Sequence, residues 1–121
     1  MSNRVLVVDD DAPIRSMVVA VLKHESFAVD ICANGDEALA RLDSEDYGAL
    51  VLSLVHRDPL GDDRILVKVK EKPNPPRIVI ISAGSQTVLD HVASDLIRAR
   101  LRKPFQIEEL VRGVKSCFDS P

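Results

Sequence analysis

Apolar and polar positions along this chain fall into five repeats, each a short apolar run followed by apolar residues at helical spacing. Residues 4–8, RVLVV, are too short for a helix, rich in β-branched side chains and halted by Asp9-Asp10-Asp11, which predicts a buried strand ending in acids. Pro13 then opens a helix in which Ile14, Met17, Val18, Val21 and Leu22 form one apolar stripe, with Asp11 or Ala12 at its cap. Phe27, Val29 and Ile31 alternate with Ala28, Asp30 and Cys32, a half-buried strand, and Asn34-Gly35 predicts a turn before the helical stretch DEALARLDSE. In the third repeat the run Ala49, Leu50, Val51, Leu52 ends on Ser53, followed by a polar loop that closes on Gly61. Ile65, Leu66 and Val69 carry the helical stripe that follows, and Pro73-Asn74-Pro75-Pro76 stops it. The fourth repeat begins at Arg77, with Ile78 to Ile81 the most β-like run of all, then Ser82-Ala83-Gly84 and a helical stripe of Val88, Leu89, Val92, Ala93 and Leu96. In the fifth, arginines alternate with Ala99 and Leu101 from Arg98 to Arg102, and Lys103-Pro104-Phe105 leads into a helix carrying Ile107, Leu110, Val111, Val114 and Phe118.

Five such units predict an α/β fold with a parallel sheet covered by helices on both sides, because crossovers between parallel strands place helices on the sheet faces. The length of 121 residues suits a single domain over 1–121. In sheets of this kind, binding takes place beyond the carboxyl ends of the strands. Asp9, Asp10, Ser53, Ser82 and Lys103 each sit at the end of a predicted strand and so form one candidate cluster.

Composition narrows the partners. A net charge of −3 gives no general reason to expect nucleic acid or an anionic membrane. Cys32 and Cys117 form neither a CxxC motif nor a metal spacing, and the N-terminus lacks the order of a signal peptide, which predicts a reducing, cytoplasmic setting. No apolar stretch approaches the roughly 20 residues needed to span a bilayer.

VLVVDDD at 5–11, Gly61 eight positions after Ser53, IISA at 80–83 and KPF at 103–105, set on the fivefold pattern, resemble the receiver domain of two-component response regulators. The resemblance covers essentially the whole chain and implies a flavodoxin-like, doubly wound sheet of order 2-1-3-4-5 with five helices. It also implies phosphorelay signalling, in which an aspartate ending the third strand takes a phosphoryl group from a histidine kinase. The acid pair, here Asp9 and Asp10, would hold Mg²⁺, Ser82 would bind phosphoryl oxygens, and Lys103 would contact them, with Lys103-Pro104 in the cis form. The acceptor position is Ser53. Arg57 stands where the family usually has proline, Leu60 where an acid is common, and Arg100 where it has a switchable aromatic, so the chain resembles a degenerate or pseudo-receiver.

Receiver chemistry needs a carboxylate nucleophile beside a divalent ion, and the acyl phosphate formed is readily hydrolysed. A serine hydroxyl is a poor nucleophile without an adjacent base, and its phosphoester would be a stable mark. Losing one carboxylate also weakens a Mg²⁺ site without necessarily abolishing it, so no cofactor is required and the ion is expected to bind weakly. Lys103 first, and His56 or Arg57 second, are the bases expected to offset the remaining acids in a metal-independent charge cluster. Asp58 is an alternative acceptor, although the unchanged spacing from Ser53 to Gly61 offers no insertion to bring it inward.

Arg98, Arg100 and Arg102 fall on alternate positions of the last strand, either as edge protection or as a docking stripe. The resemblance places an output face there, with Arg100 and Arg102 on it. His24 suits a helix C-terminus, and His24, His56 and His91 share no metal spacing. The expected function is a phosphorylation-independent adaptor that binds a protein partner, such as a histidine kinase or a downstream signalling protein, with no turnover of its own. The alternative is a working phosphotransfer receiver that uses Asp58 or is phosphorylated on Ser53. A small-molecule-binding flavodoxin-like module fits less well, because DDDAP rather than a Gly-rich loop follows the first strand.

Overall fold

The structure is a computed structural model and describes residues 3–9, 11–53, 59–83 and 95–118. In chain order its elements are β1 (Arg4–Val8), α1 (Ala12–His24), β2 (Ala28–Cys32), α2 (Gly35–Ser44), β3 (Ala49–Ser53), α3 (Pro59–Lys70), β4 (Arg77–Ala83), β5 (Ile97–Lys103) and α4 (Ile107–Ser116). The strands form one parallel sheet in the order β2-β1-β3-β4-β5. With β1 flanked by both β2 and β3, the winding reverses after β2, which is the flavodoxin-like, doubly wound arrangement.

Alternation along the central strands sorts the core into two layers. Leu6, Leu50, Leu52, Ile78 and Ile80 face α2 and α3, where they meet Ala38, Leu39, Ile65, Leu66 and Val69. Val5, Val7, Val51, Val79 and Ile81 face α1 and α4, where they meet Val18, Leu22, Leu110 and Val114. Strands buried on both sides cannot alternate apolar with polar, and all five residues of β3 are buried.

The helix starts follow from capping. The Asp11 side chain accepts a hydrogen bond from the Ile14 amide at 3.2 Å and begins α1, with Pro13 in the first turn. Asn34 caps α2 by accepting from the Glu37 amide at 3.0 Å, so Asn34-Gly35 is the cap and first residue of that helix rather than a separate turn. Proline suits a first helical position, and α3 begins at Pro59; Gly61 therefore lies inside the helix instead of closing a loop. Beyond α1 the chain reverses through Ser26, whose φ of 73° is left-handed, and Asn3 Nδ2 donates to its carbonyl at 3.0 Å.

Some expectations shift. Phe27 lies just before β2, and Ile31 is 46% exposed because β2 is an edge strand with a neighbour on one side only. Four helices stand among the described residues. Val88, Leu89, Val92 and Ala93 of the remaining predicted helix lie outside them, while Leu96 occupies the turn before β5 and packs in the α2/α3 layer. Along β5 the register jumps from Ile78↔Ile97 to Val79↔Ala99, leaving Arg98 as the extra residue of a β-bulge. Ile97 thereby packs in one layer, and Ala99 and Leu101 in the other.

Candidate functional site

Parallel pairing brings the carboxyl ends of β1, β3, β4 and β5 to one side of the sheet. Val8 pairs with Leu52, which sets Asp9 level with Ser53; Ser53 pairs with Ile81, one residue before Ser82; and Ala83 pairs with Lys103. Asp9 and Ser53 are the two buried polar side chains among the described residues, at 4% and 6% exposure. The sheet thus spends two interior positions on polar groups, both at this end.

Asp9 is held at nearly every polar atom. Its amide donates to the Cys32 carbonyl at 3.3 Å, its carbonyl accepts from the Arg15 guanidinium at 2.8 Å, and its Oδ1 accepts from the Asp11 amide at 2.9 Å. Oδ2 has no hydrogen-bond partner among the described residues, and the Lys103 ammonium lies 3.8 Å from it. At that separation the pair interacts as charges rather than through a hydrogen bond, in a setting where the acid is 3% exposed and the lysine 23%. The Lys103-Pro104 peptide is cis.

Mg²⁺ prefers an octahedral shell of oxygens. Among the described residues no group of three or more acidic, histidine or cysteine side chains is placed to hold a metal. Among the described residues the donors here are one carboxylate and one hydroxyl, with the Lys103 ammonium 3.8 Å from the Asp9 Oδ2.

Of the residues expected from sequence, Asp9, Ser53 and Lys103 come together, and Ser82 stands at the penultimate position of β4 on the same side. Asp10, His56, Arg57 and Asp58 lie outside the described residues. Arg100 and Arg102 are exposed on β5, at the far edge of the sheet. The bulge breaks the expected stripe: with Ala99 and Leu101 turned toward α4, Arg100 and Arg102 point to the opposite face, while Arg98 lies on the α4 side. Arg15, which fixes the Asp9 carbonyl, was not expected; its only signal in sequence is a polar position one turn into α1.

A second polar cluster links the β1, β2 and β3 segments near the start of the sheet. Arg4 pairs with Asp30 at 2.7 Å and Glu45 at 2.9 Å, and lies 5.0 Å from the centre of the Tyr47 ring. The Tyr47 hydroxyl contacts Asp30 at 2.6 Å and Glu45 at 3.1 Å. Burial, then hydrogen bonding to both acids, pushes the phenol well above its ordinary 10.0. The same hydrogen bond, followed by those of Arg4, holds the Asp30 carboxyl below its ordinary range.

Comparisons with known proteins agree with this geometry. The family model for the response regulator receiver domain matches residues 5–115. The transcriptional regulatory protein CutR of Streptomyces coelicolor is 37% identical over 119 residues, covering 93% of this chain and 52% of that protein. ResD of Bacillus subtilis, also named a transcriptional regulatory protein, is 32% identical over 118 residues, covering 96% and 48%. The chain therefore spans about half the length of these curated relatives. Among solved structures, the signal receiver domain of a response regulator from Bermanella marisrubri superposes with a TM-score of 0.79 at 26% identity, covering 98% of this chain and all of that one.

Proposed function

Because this chain belongs to the response regulator receiver domain family, we propose that it serves two-component signalling as a phosphorylation-independent, protein-binding adaptor over residues 1–121. The observation that carries the reading is Ser53, a buried hydroxyl at the carboxyl end of β3, level with Asp9. A carboxylate there would attack a phosphoryl group and give an acyl phosphate that clears itself; a serine hydroxyl is a far poorer nucleophile, and its phosphoester would persist.

Charge balance supports the same reading. Asp9 is buried, its Oδ2 has no hydrogen-bond donor among the described residues, and the Lys103 ammonium lies 3.8 Å from that oxygen. In this reading the lysine does the work of a divalent ion, so the pocket stands assembled without metal and without phosphate. The partner is a histidine kinase or a downstream signalling protein, in the cytoplasm, met on the face that bears Arg100 and Arg102.

Intact mass after acetyl phosphate treatment tests the proposal. The unaltered chain is expected to gain no phosphate and to show no sub-millimolar Mg²⁺ binding, while Ser53→Asp recovers both. Phosphate on Ser53 or Asp58 of the unaltered chain would establish a working phosphotransfer receiver instead.

A further inference from the structure

The two edges of the sheet are built differently. β5 carries Arg98, Arg100 and Arg102 together with its bulge, and charge and irregularity are what keep an edge strand from pairing with another sheet. β2, at the other edge, has neither safeguard. It pairs with β1 in unbroken register, and its one charged residue, Asp30, is turned to the Arg4 guanidinium at 2.7 Å and the Tyr47 hydroxyl at 2.6 Å.

Main-chain groups alternate sides along a strand. The Ala28 amide donates to the Asn3 carbonyl at 3.3 Å and the Cys32 carbonyl accepts from the Asp9 amide at 3.3 Å, so the N–H and C=O of Val29 and Ile31 point away from β1, where no strand stands among the described residues. Val29 packs in the α1/α4 layer; Ile31, two residues on, lies on the same face and is 46% exposed. The two ends of the strand differ in charge. Asp11 caps α1 and Asp36 and Glu37 open α2, which makes the carboxyl end of β2 acidic. Lys23 and His24 close α1 beside the start of β2, where Arg4 and Arg41 are already offset by Asp30 and Glu45, and Glu25 by Lys115.

We propose that β2 pairs antiparallel with β2 of a second copy of this chain, Val29 of each opposite Ile31 of the other, so that one sheet runs through both copies. In this register the outward main-chain groups satisfy one another, and the exposed Ile31 gains a β-branched neighbour on its own face. The basic start of each strand also comes beside the acidic end of the other. Asp30 falls opposite its counterpart, with Arg4 of its own chain as counter-ion. A two-fold copy supplies all these matches at once, and being closed it stops at two. The pairing goes beyond the adaptor reading and does not depend on it. It leaves Arg100 and Arg102 at both outer edges of the joint sheet, about 40 Å apart at about 4.8 Å per strand, so the dimer presents two partner faces.

Sedimentation equilibrium of the full chain between about 5 and about 500 μM tests the pairing, with a dimer dissociation constant of about 50 μM expected for so small an interface. Ile31→Lys is expected to raise that constant at least about tenfold with an unchanged circular dichroism spectrum, because a lysine on an edge strand blocks pairing. Ile107→Lys, at the exposed apolar residue of α4, is expected to leave it unchanged. Amide hydrogen exchange needs no variant: the Val29 and Ile31 amides are expected to slow by about fourfold across the same concentration range. A chain that stays monomeric to about 500 μM overturns the proposal. So does a dimer that Ile107→Lys breaks and Ile31→Lys does not, or one in which the Val29 and Ile31 amides exchange as fast as in dilute solution. Ser53 takes no part in these measurements, so failure here leaves the acetyl phosphate result to decide the adaptor reading separately.

Discussion

At the scale of single residues, Asp9 and Lys103 carry the largest electrostatic consequence. A buried carboxylate that loses the cation paired with it must either stay charged at a cost or take up a proton. Lys103→Met in metal-free buffer is therefore expected to destabilise the fold by about 1–3 kcal/mol at neutral pH, and adding Asp9→Asn to recover most of it, as read from urea midpoints. Tyr47 governs a different part of the pH profile. Asp30 and Glu45 are held below their ordinary values of 3.8 and 4.5, so the stability they add is full above those values and is lost as pH falls toward the lower folded values. The phenol is raised above 10.0, so its contribution is present below that pH and is lost as pH climbs past it. Tyr47→Phe is expected to flatten both arms in urea titrations at about pH 3, 7 and 11. Cys117, raised to about 12 by burial, leaves a residual alkaline loss in the variant.

At the scale of elements, α2 and α3 meet through a glycine. A Cβ on Gly35 would fall 1.7 Å from the Ile65 Cδ1 and 2.5 Å from its Cγ1, so the isoleucine must leave its place in the core. Gly35→Ala is expected to cost about 1–2 kcal/mol despite the better helix former, and Ile65→Val, by removing Cδ1, to return part of that; thermal unfolding of the single and double variants checks it. Sequence reading located this helix but not its reason for starting with glycine, because Ile65 is thirty residues away and no local pattern ties the two. Helical spacing likewise identified α4, yet Ile107 is 51% exposed: a stripe gives direction, not how far the neighbouring element extends. The β-bulge at Arg98 was hidden for the same kind of reason, since alternation in a strand says nothing of the register of its neighbour.

At the scale of the whole molecule, the sheet separates two cores that share its strands but not their helices. Leu66 of α3 and Leu110 of α4 are fully buried in opposite layers. Each change to alanine is expected to cost about 2–5 kcal/mol, and the pair to add within about 0.5 kcal/mol, as measured by denaturant unfolding in a background stable enough to hold both. What was legible from the chain was this layering and the meeting of Asp9, Ser53 and Lys103, because buried parallel strands announce themselves as apolar runs and their ends are marked by polar residues. The Arg4–Asp30–Glu45–Tyr47 cluster was not, since its members come from three separate stretches and no local pattern ties them together. Strand order also bears on synthesis. Because β5 follows β4 in the chain and lies beside it, the run Ile78–Ile81 emerges from the ribosome as an open, uncharged edge, able to pair with any neighbouring polypeptide until residues 97–103 arrive. The strand that closes it bears Arg98, Arg100 and Arg102, so completion of the sheet replaces its stickiest margin with a charged one and acts as a gatekeeper for the nascent chain.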